Sequence, residues 1–321
     1  NSPQLLDANK FVTHQQFSDR VRPIEDSVER LAKNVNKNFS DLAQWGMEVD
    51  TKIKALEQSR PTVIEIKPAA ELPTFSMGVQ HKAFEKLWRM VNSRLPSGFP
   101  VIPWVYGPAG TGKSYACESI AKAFAKLLGR EFHCYAVGTT LAKFETLGFV
   151  NTTGYQSTPF RLAYEHGHLF CADEMDSWAK EATVALNNAL ANGECAFPDK
   201  IVKRHPDFIM VACANTVGAG ATMDYAGRNK QDNATLDRFA FINWELDEAL
   251  EDNLTANKNW LKYVRHVRAR ANNSGINPKP MITPRASMAG TSLLAGGLYW
   301  SDVVDMCLRK GLSDAQWNQI K

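Results

Sequence analysis

Apolar residues recur at steps of three and four along Val21, Ile24, Val28, Leu31 and Val35, the spacing of one helix face. The pattern continues through Phe39, Leu42, Val49, Ile53 and Leu56, with a slip near Phe39 and a glycine at position 46. Proline is tolerated in a first helical turn, so the pattern predicts a long helix from Pro23 to about Leu56. Its other positions are charged or amidic, as at Arg30, Lys33, Asn34 and Lys37. Packing of the apolar face supplies most of a helix's stability in a protein, so this stripe must meet something. Residues 1–60 are therefore expected to form a coiled-coil-like arm for assembly or docking. The slip and Gly46 speak against a long uninterrupted coiled coil. A proline-rich stretch, Pro61 to Pro73, then breaks the pattern, and residues 61–74 read as a linker.

From Phe75 to Leu250 the pattern changes to short apolar runs separated by helical stretches. The runs Pro103–Tyr106, Phe132–Val137, His168–Ala172, Phe208–Ala214 and Phe241–Trp244 predict strands, and the alternation predicts a parallel sheet flanked by helices. After Glu251 the pattern is helical over Asn259–Arg270, Thr283–Ala295 and Ser301–Arg309. The expected fold is α/β: a large subdomain over residues 75–250, a small helical lid over 251–321 and the long N-terminal helix.

With 321 residues and 44% apolar composition the chain can bury a sizeable core. The net charge of +3 makes nucleic acid a disfavoured main partner. No run is long enough to span a membrane and no signal-peptide pattern opens the sequence. The six cysteines show no metal-ligand spacing, which fits reduced thiols in a cytoplasmic protein.

Candidate chemistry begins at Gly107-Pro108-Ala109-Gly110-Thr111-Gly112-Lys113-Ser114, a G-x-x-x-x-G-K-[ST] loop after a predicted strand and before a predicted helix. Such a loop wraps backbone N–H groups around phosphates at a helix N-terminus. Lys113 then reaches the β- and γ-phosphates, and Ser114 coordinates Mg²⁺. The run His168–Ala172 ends in Asp173 and Glu174, at the sheet edge where parallel α/β folds bind ligands. Asp173 is expected to hold Mg²⁺ and Glu174 to polarise the attacking water. The competing reading of this pair is an acidic cap for a helix beginning near Asp176. Asn215, ending the next run, is placed to reach the γ-phosphate or that water, unless it only makes a strand-to-loop turn.

The order of a phosphate loop, an Asp-Glu strand, a strand ending in Asn215 and then Leu236-Asp-Arg-Phe239 resembles the AAA+ ATPases. The stretches Glu174-Met-Asp-Ser, Leu186-Asn-Asn-Ala-Leu, Ala214-Asn-Thr-Val-Gly-Ala-Gly and Ile282-Thr-Pro-Arg-Ala286 are similar to the MoxR and cobaltochelatase branch of that superfamily. The resemblance covers about Phe75 to Gly297. It implies an ATPase using ATP and Mg²⁺ in a homo-oligomeric, hexameric ring, with Asn215 as sensor 1, Arg238 as arginine finger and Arg285 as sensor 2. An ion pair, with Asp237 for example, is the competing reading of Arg238, and a surface arginine that of Arg285; whether Arg285 serves its own nucleotide or a neighbour's stays open. The resemblance further implies a helical insertion before the Asp-Glu strand, at Leu141 to Tyr155, and a β-hairpin at Glu194 to Pro206, facing a pore unless their aromatics pack the core. It implies remodelling of a protein partner, in the family often one with a von Willebrand A domain. A nucleic-acid motor and a metal-chelatase subunit are the alternatives.

Overall fold

The computed structural model describes residues 14–58, 62–66 and 75–321. It divides into two units, Asn1–Arg60 and Pro61–Lys321. In the first, α1 spans His14–Gln58, 45 residues or about 67 Å at 1.5 Å per residue. It starts more than two turns ahead of Pro23 and passes through Phe39 and Gly46 without a break. Val28, Leu31, Val35, Phe39, Leu42, Trp45 and Met47 are all exposed. The side chains at Val21, Ile24, Ile53 and Leu56 lie outside the described residues.

The second unit opens with a correction to the expected linker. Thr62–Ile66 is a strand, β1, paired antiparallel with β2 (Phe75–Gln80). Ile64 and Ile66 point into the core while Val63 and Glu65 face out, a strand's period of two inside a proline-rich stretch. There follow α2 (Phe84–Asn92), β3 (Ile102–Tyr106), α3 (Lys113–Leu128), β4 (Cys134–Val137), α4 (Lys143–Leu147), β5 (Phe149–Asn151), β6 (Gly154–Gln156), α5 (Pro159–His166) and β7 (Leu169–Ala172). The chain continues through α6 (Lys180–Asn192), β8 (Glu194–Ala196), β9 (Ile201–Lys203), β10 (Ile209–Ala214), α7 (Asn233–Leu236) and β11 (Phe239–Asn243).

Five strands form the central sheet in the order β11-β3-β10-β7-β4, and every neighbouring pair is parallel. The expected α/β class is thus borne out. Strands covered on both faces read as unbroken apolar runs, and β10 shows why. Met210, Ala212 and Ala214 enter the cluster around Trp104, Phe160 and Trp178, while Ile209, Val211 and Cys213 enter the opposite one around Phe84, Leu87 and Trp244.

Residues 141–155, expected as a helical insertion, hold only the short α4 followed by the β5–β6 hairpin. Its aromatics divide between the two readings. Tyr155 packs against the core and donates its hydroxyl to Leu147 O at 2.7 Å, whereas Phe144 and Phe149 are exposed and meet edge to face at 6.2 Å. Between Glu194 and Pro206, β8 and β9 pair as a hairpin. Cys195, Phe197 and Val202 are buried there, and Ile201 is exposed.

The C-terminal part is helical: α8 (Glu248–Leu254), α9 (Lys258–Asn273), α10 (Pro284–Ala295), α11 (Trp300–Val304) running into a π turn at Asp305–Arg309, and α12 (Asp314–Ile320). Its core gathers Trp260, Val264, Val303, Leu308 and Trp317. A buried carboxylate ties α8 to this core. Glu251 accepts from Arg268 at 2.5 and 3.0 Å, from Arg265 at 3.3 Å and from Ser287 Oγ at 2.6 Å. Burial pushes its pKa up, but the Arg268 and Ser287 hydrogen bonds outweigh that and leave it lowered.

Candidate functional site

The phosphate loop leaves β3 at Gly107 and enters α3 at Lys113. Gly107 must be glycine, because a Cβ there would lie 2.1 Å from Trp244 O. Trp244 is itself fixed, stacking on His81 at 4.1 Å and donating its indole N–H to Thr111 O at 3.1 Å. Gly112 precedes the helix at φ 88°, a backbone that bulky residues avoid. The loop is thereby held open at the N-terminus of a 16-residue helix, with its partial positive charge.

Lys113 is buried and donates to Gly107 O and Pro108 O, each at 2.9 Å, and to Asn215 Oδ1 at 3.2 Å. Burial lowers its pKa. Ser114 Oγ donates to Asp173 Oδ2 at 2.6 Å. The tips of β3, β7 and β10 thus converge, as the order of the strands requires.

Glu174 follows β7 in a left-handed conformation, φ 50° and ψ 35°, and leads into a 3₁₀ turn at Met175–Ser177. A non-glycine residue there is uncommon and turns the side chain off the strand tip. Its Oε2 accepts from Thr139 Oγ1 at 3.3 Å and lies 3.6 Å from Arg228 Nη1. Glu174 holds the N-cap position of this 3₁₀ turn but its side chain makes no capping bond, and the next α-helix starts at Lys180. Asn215 follows β10 directly, and its backbone N–H donates to Asp176 Oδ2 at 3.2 Å.

A cavity of about 530 Å³ is lined by residues 109–116 together with Asp173, Glu174, Asn215 and, from the helical part, Pro284, Arg285 and Met288. Arg285 comes from the same chain as the phosphate loop, and its Cγ lies 3.3 Å from where a Cβ on Gly110 would be. Arg238 does not line this cavity. It is exposed just beyond α7 and donates to Ala234 O. A pocket of this size with a cationic floor at a helix N-terminus and an adjacent hydroxyl–carboxylate pair fits a nucleoside triphosphate and a hard divalent cation.

Four contributors escaped the sequence reading: Thr139, Asp176, Tyr225 and Arg228. Asp176 was visible only as a helix start, yet it is completely buried and accepts from Thr216 N and Thr216 Oγ1, both at 2.9 Å. Tyr225 and Arg228 lie in a segment without periodicity, and only the fold brings them to the site.

Residues 104–239 match the family described as AAA domain, dynein-related subfamily. The aerobic cobaltochelatase subunit CobS of Sinorhizobium sp is 29% identical over 152 residues, covering 43% of this chain and 44% of that protein. The matched region thus spans less than half of that relative's length. Two solved structures are more distantly similar. A closed-state cryo-EM reconstruction of Hsp104 with ATPγS and FITC-casein has a TM-score of 0.39 at 14% identity, covering 56% of this chain and 34% of that one. NtrX from Brucella abortus has a TM-score of 0.41 at 16% identity, covering 83% and 56%.

Proposed function

We propose that this chain, which carries an AAA domain of the dynein-related subfamily over residues 104–239, hydrolyses ATP to ADP and phosphate in a homo-oligomeric ring and uses the cycle to remodel or assemble a protein partner. The observation that carries the ATPase reading is the meeting of Lys113, Ser114, Asp173 and Asn215 at neighbouring strand tips, with the Ser114–Asp173 hydrogen bond at 2.6 Å.

Gly107 to Ser114 bind the phosphates through backbone N–H groups, and the Lys113 ammonium offsets their charge. Ser114 and Asp173 would hold Mg²⁺, which when bound would withdraw charge from the phosphates. Glu174 orients the attacking water and accepts its proton at a carboxylate oxygen; Asn215 fixes that water or the terminal phosphate from the next strand. Arg285 adds a guanidinium from the lid of the same subunit, the assignment its place in the cavity favours. Arg238, exposed and away from its own cavity, serves the neighbouring subunit as an arginine finger. The expected partner is a protein, with a von Willebrand A domain as the first candidate.

A metal-chelatase subunit is the second reading, favoured by the similarity to the aerobic cobaltochelatase subunit CobS.

Paired variants separate binding from chemistry. Lys113→Ala should abolish binding of a fluorescent ATP analogue. Glu174→Gln should keep that binding and lose hydrolysis by about a hundredfold or more, the usual worth of a general base. Turnover by Glu174→Gln at the parent rate would remove Glu174 from the water-activating role.

A further inference from the structure

Arg228 is only 12% exposed and faces two carboxylates. Its Nη1 lies 3.6 Å from Glu174 Oε2 and its Nε 3.5 Å from Asp176 Oδ2. Asp176 has no exposure, and the same Oδ2 accepts from the backbone N–H groups of Asn215 at 3.2 Å and Thr216 at 2.9 Å. One guanidinium therefore spans the Glu174 carboxylate and the carboxylate that anchors Asn215.

The segment carrying Arg228 is itself pinned to the site. Asn229 N donates to Asp176 O at 2.7 Å, and its side-chain amide donates to Ser177 O at 2.9 Å and Trp178 O at 3.1 Å. Three residues before Arg228, the Tyr225 hydroxyl accepts the N–H of Ala109 in the phosphate loop at 3.1 Å. A cation present only to compensate buried Asp176 would need to reach that carboxylate alone. The second contact, to half-exposed Glu174, is what a compensation role leaves unexplained.

We infer that Arg228 is a positioning residue for hydrolysis, holding the Glu174 carboxylate in a fixed relation to Asn215. This rests on the reading of Glu174 as the water-orienting group. Lysine cannot replace it, because a compact ammonium lacks the planar fork whose separate nitrogens reach two carboxylates at once.

The test is single-turnover ATP hydrolysis and fluorescent-nucleotide binding by the full chain, for Arg228→Lys in the parent and in Glu174→Gln. Arg228→Lys keeps a cation beside Asp176, so it should melt near the parent temperature and bind nucleotide within about twofold of it, while hydrolysing about tenfold or more slowly. In the Glu174→Gln background the same change should add little, because the group it positions has lost its function. Parent-rate hydrolysis by Arg228→Lys overturns the inference, and so does an equal fractional loss in both backgrounds. If Arg228→Lys does not fold, the charge-balanced Arg228→Gln/Asp176→Asn replaces it, with the same outcomes. Failure of the underlying reading shows separately, as Glu174→Gln turning over at the parent rate.

Discussion

His168, at the entry to β7, shows how strongly a single side chain can depend on its surroundings. Its Nδ1 accepts the backbone N–H of His133 at 3.3 Å, and the rings of His133, Phe132 and Tyr135 surround it with centroids 5.0 to 5.7 Å away. Burial first, then the electrostatic influence of the neighbouring His133, Arg130, His166 and His205, lowers its pKa from 6.5 to about 4. The unfolded chain therefore binds this proton more tightly than the folded one. The stability that neutral His168 contributes is fully present above pH 6.5 and is lost as the pH falls towards 4. Thermal melts between pH 7.5 and 4.5 should show a steeper fall in Tm for the parent than for His168→Gln, and equal slopes would refute this. The residue scale also shows what a sequence can expose. Lys113, Ser114 and Asp173 were legible because each belongs to a local motif whose chemistry dictates its spacing. Asp176 was not, since the Thr216 groups it binds are 40 residues away and no local pattern marks such a pair.

At the scale of elements, the central strands were legible because burial on both faces leaves unbroken apolar runs, and their ends shifted by at most two residues. Among the elements the pattern did not expose, β1 and α12 escaped it for contrasting reasons. β1 does alternate, but Pro61 and Pro68 on either side of Thr62–Ile66 obscured the alternation. α12 is only seven residues long, too short for a period of 3.6 to stand out, and is set by a capping box between Ser313 and Gln316. Packing within the lid adds a constraint that hydrophobic pattern alone does not convey. Gly290 lets α10 approach α9 so closely that a Cβ would lie 2.1 Å from Trp260 Cε2. Trp260 cannot easily give way, being fully buried with its indole N–H donated to Ala286 O at 3.0 Å. Gly290→Ala should therefore destabilise the protein by about 1–3 kcal/mol, the usual cost of overpacking, despite alanine's better helix propensity. Urea denaturation measures this, and an unchanged or higher midpoint would mean that Trp260 has another rotamer within reach.

At the scale of the whole molecule, the question is what covers α1 and what Arg238 serves. Val28, Val35, Leu42 and Val49 recur every seven residues, with Leu31 and Trp45 between them, so an unbroken repeat runs through the place where Phe39 suggested a slip. One row of this repeat is apolar throughout, while the other alternates Leu31 and Trp45 with Asn38 and Lys52. An apolar row at every seventh residue is half of a coiled-coil seam, and polar residues in the other row lower its stability. Four of these side chains, Val28, Leu31, Leu42 and Trp45, are at least 60% exposed, so within this unit their apolar surface stays in water. Self-association through α1 and a trans-acting Arg238 then make one joint prediction. ATP turnover per subunit should rise with protein concentration to a plateau as subunits assemble. Deleting residues 1–60 should move that rise to higher concentration and leave the plateau near the parent value, the outcome expected of an arm that assists assembly and takes no part in chemistry. Arg238→Ala should do the reverse, lowering the plateau by about a thousandfold, the usual worth of an arginine finger, while nucleotide affinity and assembly persist. Light scattering on the same dilution series reports assembly independently of activity. A rate per subunit that stays constant down to a sample shown to be monomeric would rule out the finger in trans. A deletion that abolishes the plateau at full assembly would instead make the arm part of the catalytic body.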